Sequence, residues 1–190
     1  MDTRCIYTKL PSHFIKLNIM RFFILTLTLF LTTSCTVNSV GEAFDDSRNE
    51  SLAIKRVQAA NPGLAEANIS VTSFDGILLL TGQVSSADLI PIASAQVEPL
   101  RNVRRVHNEL IVAGKTSLLS RTNDSWLTTK VKSALSKAES SDTTHIKVVT
   151  ENAAVYLMGL LTRAEADAAA HIARDVQGVQ KVVMLFEYIN

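Results

Sequence analysis

The chain has 190 residues, 47% of them hydrophobic, and a formal net charge of +1. That length allows one medium domain or two small ones. The near-neutral balance excludes a general nucleic-acid binder.

The first segment in chain order reads as a leader. Arg21 precedes the apolar run FFILTLTLFL (22–31), and TTSC follows at 32–35. A positive residue, a short apolar run and small residues before a cleavage point make a secretory signal over 1–34. The run is about half of the ~20 residues a spanning helix requires. Met20 opens a complete signal by itself, which reads residues 1–19 as an upstream extension. Cys35, with Ser34 before it, resembles the acceptor cysteine of a bacterial lipobox, although Thr32 stands where leucine is usual. Cys35 is therefore the expected lipidation site. Cys5 leaves with the leader, so the mature chain has no internal disulfide and is held by its core alone. Loss of Arg4, Lys9, Lys16, Arg21 and Asp2 leaves 15 basic against 17 acidic residues. Any attraction to an anionic surface must then be local.

TVNSVGEAFDDSRNE, after Cys35, is polar without a sustained period and reads as a tether over 35–46. A first domain is expected over 47–113. SLAIKRVQAA (51–60) is an amphipathic helix, ended by Asn61-Pro62-Gly63. NISVTSFDGILLLTGQV (68–84) reads as a β-hairpin turning at Phe74-Asp75-Gly76. SSADLIPIASAQVEPL (85–100) reads as a second helix. Pro91 lies within it, so the helix kinks there or begins late. VRRVHNELIV (103–112) is a third strand.

After a linker at 114–122 the order repeats over 123–190. SWLTTKVKSALSKA (125–138) is a helix. Strands 145–150 and 153–158 join across Glu151-Asn152. TRAEADAAAHIARDV (162–176) is a helix opened by the capping box Thr162–Glu165, and 179–189 is the last strand. Val57 matches Val131, Ile69 matches Ile146, Gly82 matches Gly159 and Val106 matches Val182, at offsets of 74, 77, 77 and 76. The expected fold class is α+β, two tandem two-layer αββαβ units with both helices on one sheet face. The alanine-rich helix implies close approach to its sheet. All five elements of the second unit lie within 121–190, which predicts that this segment folds alone. Gly159 is expected to tolerate substitution poorly if it holds a positive φ or a close backbone approach.

Two consecutive αββαβ units, each with a glycine closing the second strand, resemble BON domains. Gly178-Val179 with Val182 carries the family's approach to the third strand; Asn102-Val103 departs from it in the first unit. Leader, Cys35 and paired units together resemble the dual-BON outer-membrane lipoproteins of Gram-negative bacteria, the division- and outer-membrane-stress-associated lipid-binding family. NDSWLTTKVKSAL, TTHIKVVTENAAVYLMGLLT and AAHIARDVQGVQKV carry the match. The resemblance implies a non-enzymatic envelope protein that binds anionic, phosphatidylglycerol-like phospholipid through its second unit. It also implies an outer-membrane lipid anchor, with Thr36 after Cys35 favouring that destination. Envelope or division-site proteins are candidate partners.

The residues of the second unit's first helix speak to the same point. At 100° per residue, Leu127, Val131, Ala134, Leu135 and Ala138 share the stripe that packs on the sheet. Trp126, Lys130, Ser133 and Lys137 share an adjoining stripe. An aromatic with a polar tip beside snorkelling lysines has the composition of a membrane-interface anchor. The residues assigned to lipid binding are Trp126, Leu127, Lys130, Val131, Ser133, Ala134 and Lys137. The competing reading folds Trp126 back onto its own domain. Leu52 occupies the matching site of the first unit.

Other chemistry is thin. His107, His145 and His171 have no metal-ligand spacing, and no nucleophile, phosphate-loop or dinucleotide motif is present. No cofactor, metal or catalytic residue is expected. A protein-interaction adaptor or periplasmic spacer is the alternative to a lipid-binding module.

Overall fold

The computed structural model describes residues 37–114, 117–138 and 145–189. The leader and Cys35 lie outside the described residues. The chain forms α1 (Val37–Ala60), α2 (Pro62–Glu66), β1 (Asn68–Phe74), β2 (Ile77–Val84), α3 (Leu89–Val97) and β3 (Arg105–Val112). These are followed by α4 (Leu118–Lys137), β4 (Ile146–Glu151), β5 (Ala154–Leu161), α5 (Arg163–Asp175) and β6 (Lys181–Tyr188).

Each unit is a three-stranded sheet in the order β1-β2-β3 or β4-β5-β6. The middle strand is antiparallel to the strand before it and parallel to the one after. A parallel partner requires a crossover, and α3 and α5 supply it. Both hairpins turn through two left-handed residues, Asp75 (φ +48°) and Gly76 (φ +71°), and Asn152 (φ +49°) and Ala153 (φ +61°). The second turn therefore sits one residue later than Glu151-Asn152. Gly82 and Gly159 each bring the middle strand against the first strand's backbone. A Cβ on Gly159, at φ +151°, would fall 2.0 Å from the carbonyl oxygen of His145.

Local signals set most boundaries. Asn61 caps α2 by accepting from Gly63 N at 2.8 Å, with Pro62 in its first turn. Helix α3 begins late, at Leu89, so Pro91 falls in a first turn whose N–H groups have no intrahelical acceptor anyway. Thr162 and Glu165 form the expected capping box of α5.

Two boundaries differ from the sequence expectation. Helix α1 continues back through the polar stretch expected as a tether, and α4 begins inside the expected 114–122 linker. In both cases side-chain hydrogen bonds, which a hydrophobic period does not register, hold the extra turns. Asp46 Oδ2 accepts from Asp75 N at 2.9 Å, and Glu50 Oε1 from Ser73 N at 2.9 Å. Ser117 caps α4 through Ser120 N at 3.2 Å.

The helices of each unit cover one sheet face. Leu78, Leu80, Val57, Ala93 and Leu110 are among the core of the first unit; Val148, Leu157, Leu135 and the α5 alanines 166, 169, 170 and 173 are among that of the second. The opposite faces pack on each other. Ile77 and Leu79 from β2 join Tyr156 and Met158 from β5 and Leu185 from β6 in a third core, with Phe74, Val149 and Val183 at its margin. The two αββαβ units are thus joined sheet to sheet, in four layers. Polar contacts rim the joint: Gln83 Nε2 donates to Glu151 at 2.7 Å, Arg121 to Asn68 at 2.6 Å, and Arg104 pairs with Glu187 at 2.9 Å. Residues 121–190 hold the strands and α5 of their unit but lack the first turn of α4, which begins at Leu118, and the cover of the sheet's second face.

Candidate lipid-binding face

Helix α4 is set on its sheet by a buried carboxylate and three apolar side chains. Asp124, 5% exposed, accepts from Asn152 N at 2.8 Å and Ala153 N at 2.9 Å. Ser120 Oγ donates to Asn152 Oδ1 at 3.1 Å. In the first unit Asp46 clasps the Asp75-Gly76 turn through both N–H groups, and Glu50, one helical turn on, accepts from Ser73 N at the end of β1. These carboxylates were not singled out from sequence; an acidic residue one helical turn before the apolar stripe of each unit is the signal. Leu127, Val131 and Leu135 below Asp124 are fully buried.

Burial corrects part of the site assigned from sequence. Leu127 and Val131 belong to the core and face the sheet, so neither is presented at the surface. They lie on the apolar stripe itself, and a residue at 0 or 1% exposure cannot meet a lipid without unfolding the helix from its sheet. Ala134 is half-buried at the edge. Trp126, Lys130, Ser133 and Lys137 form the stripe that remains.

Trp126 does not fold back; it is 59% exposed. Lys130, one turn on, places Nζ 4.2 Å from the indole centroid and donates to the carbonyl oxygen of Gln177 at 2.6 Å. Gln177 belongs to the turn between α5 and β6, so that turn adjoins the face, which sequence reasoning did not include. Ser133 and Lys137 are exposed further along the stripe. On its other flank a groove between α4 and β4 is lined by Thr129, Lys132, Ser133 and Ser136 over Leu135, Ile146 and Val148. In the first unit the site matching Trp126 holds Leu52, half-buried, with Lys55 and Arg56 exposed and no aromatic beside them.

The histidines lie elsewhere. His107 sits on the face of β3 turned toward the other sheet; burial, then the nearby Arg105, hold its pKa below the usual 6.5, against weaker opposition from Glu109 and Glu187. Across the joint, burial first, then Glu109 and Glu151, push the Tyr156 hydroxyl up to about 12. His171 pairs with Asp175 on the exposed side of α5 at 3.3 Å. Among the described residues no group of three or more His, Cys, Asp or Glu is placed to hold a metal ion, and no helix is long and apolar enough to cross a membrane.

Comparison with known proteins agrees with this architecture. The BON domain family matches residues 45–114 and 123–190. The chain is 36% identical over 152 residues to outer membrane lipoprotein DolP of Haemophilus influenzae, covering 80% of this chain and 79% of that one. It is 37% identical over 125 residues to a 21 kDa hemolysin of Actinobacillus pleuropneumoniae, covering 66% and 64% respectively. It is 27% identical over 150 residues to the osmotically inducible protein Y of Escherichia coli, covering 77% and 74%. The chain belongs to the BON-domain family and is a dual-BON outer-membrane lipoprotein.

Proposed function

We propose that this lipoprotein binds anionic phospholipid, phosphatidylglycerol-like in its charge, through the outer stripe of α4, and so supports outer-membrane integrity, including at the division site, without catalysis. The observation that carries the reading is Trp126, 59% exposed on a helix whose Leu127, Val131 and Leu135 are buried. An exposed indole flanked by Lys130, Lys132 and Lys137 matches the chemistry of a membrane interface, where the ring sits among headgroups and ammonium groups meet phosphates. Each lysine near an anionic leaflet contributes on the order of 1 kcal/mol. The acidic excess of the mature chain makes this attraction local to α4. The first unit, with Leu52 at the equivalent site, is the weaker lipid surface.

The test is co-sedimentation of unlipidated residues 36–190 with vesicles, with and without phosphatidylglycerol. Binding that requires phosphatidylglycerol and is lost in Trp126→Ala supports the reading. Equal recovery with both vesicle types, or parental binding by Trp126→Ala, leaves the protein-interaction adaptor as the better account.

A further inference from the structure

Lys130 differs from the other lysines of α4. Lys132 and Lys137 are exposed, whereas Lys130 is half-buried. Its ammonium has two partners within the protein, the Trp126 ring at 4.2 Å and the Gln177 carbonyl oxygen at 2.6 Å. Gln177 lies on a different element from Trp126, in the turn that continues through Gly178 at φ +107°. The lysine therefore spans from α4 to the α5–β6 turn, with its ammonium held over the indole. An exposed tryptophan on a helix otherwise exchanges rotamers freely, and ordering a mobile side chain on binding weakens association. A cation fixed over the ring removes that loss before binding occurs.

We propose that Lys130 is a positioning residue: braced by the Gln177 carbonyl, it holds the Trp126 indole in the orientation that enters the headgroup layer, and phosphate attraction falls to Lys132 and Lys137. This rests on the lipid-binding reading above. The two roles leave different salt signatures. A lysine that acts through exposed charge loses its effect as salt screens it over about 8–10 Å and less. A lysine that acts by ordering an aromatic keeps its effect at high salt and has none once the aromatic is gone.

The experiment uses unlipidated residues 36–190 and the variants Lys130→Met, Lys132→Met, Gln177→Ala, Trp126→Ala and Trp126→Ala/Lys130→Met. Trp126 anisotropy and acrylamide quenching are read without lipid. Partition into phosphatidylglycerol-containing vesicles is read at low and high salt. Lys130→Met is expected to keep the parental circular dichroism, lower the anisotropy and raise the quenching. It is expected to weaken partition roughly 3- to 10-fold at both salts, the scale of one cation–π contact, and to add little to Trp126→Ala. Lys132→Met should act at low salt only. Gln177→Ala, which keeps the carbonyl, should match the parent. Unchanged anisotropy and quenching in Lys130→Met, or an effect that fades with salt as that of Lys132→Met does, overturns the proposal. If the parent itself ignores anionic vesicles the lipid reading falls, and the lipid-free measurements still decide whether Lys130 orders Trp126.

Discussion

Leu79 lies in the first BON unit, yet three of the four other buried residues of the shared core, Tyr156, Met158 and Leu185, belong to the second. It is 1% exposed, at the centre of β2 where the two sheets meet. Leu79→Ala removes three buried carbons between the two packed sheets. Large-to-small changes of this kind cost about 2–5 kcal/mol, against a total stability of about 5–15 kcal/mol for a native protein. At about 2–4 °C per kcal/mol for this size, the midpoint should fall by roughly 4–20 °C. The chain contains one tryptophan, Trp126, in the second unit. Its fluorescence reports that unit, while far-UV circular dichroism reports both. With a shared core, Leu79→Ala lowers the two midpoints together. If the circular dichroism midpoint falls while the Trp126 transition stays where it is in the parent, the units fold independently and the third core does not couple them. The same argument applies to residues 121–190 alone. Stripped of its partner, that segment exposes Tyr156, Met158 and Leu185, at about 1.5–3 kcal/mol each, and should self-associate or melt without a sharp transition.

Asp124→Ala removes the acceptor of the buried Ala153 N–H and the part-buried Asn152 N–H, so thermal melting should show a loss of about 1–3 kcal/mol, while Asp124→Asn, which retains one acceptor oxygen, should lose less. Gly159→Ala drives a methyl group into the His145 carbonyl at a positive φ, and should lower the melting midpoint far more than the same change at Gly114, where a Cβ meets nothing within 4 Å. His107 has its folded pKa depressed below 6.5. Its contribution to stability is then present above pH 6.5 and lost as pH falls toward the folded value, because the unfolded chain takes up the proton first. Denaturant melts between pH 7.5 and 5 should show this decline, and His107→Gln should flatten it.

The αββαβ repeat was legible because each element carries its own local signal. Pro91, Asn61 and the Thr162–Glu165 box mark boundaries through backbone chemistry that does not depend on the rest of the fold. The sheet-to-sheet joint was absent from the sequence expectation of two separate two-layer units, although Ile77-Leu78-Leu79-Leu80 and Val155-Tyr156-Leu157-Met158 carry its signal. Such unbroken apolar runs require burial on both faces, whereas Ile69 and Val71 on edge strand β1 alternate with polar residues. The back-extension of α1 was not legible, because the donors that Asp46 and Glu50 serve lie more than twenty residues away. At the site, helical spacing alone separated Trp126, Lys130 and Lys137 from the buried stripe. Leu127 and Val131 fell on the sheet-packing stripe by the same spacing, and their burial removes them from the lipid-binding set in which the resemblance had also placed them. The Gln177 contact lies beyond any local pattern, since it joins α4 to a turn 47 positions along the chain.

The most direct test of the central claim is the emission of Trp126 as anionic vesicles are added to unlipidated residues 36–190. The chain holds no other tryptophan, so the signal is unambiguous. An indole that is 59% exposed in water and enters the headgroup layer must shift to the blue with phosphatidylglycerol vesicles and remain unshifted with neutral ones. An emission maximum that does not move, at vesicle concentrations where the protein co-sediments, would mean that another surface meets the lipid and that α4 is not the lipid-binding face.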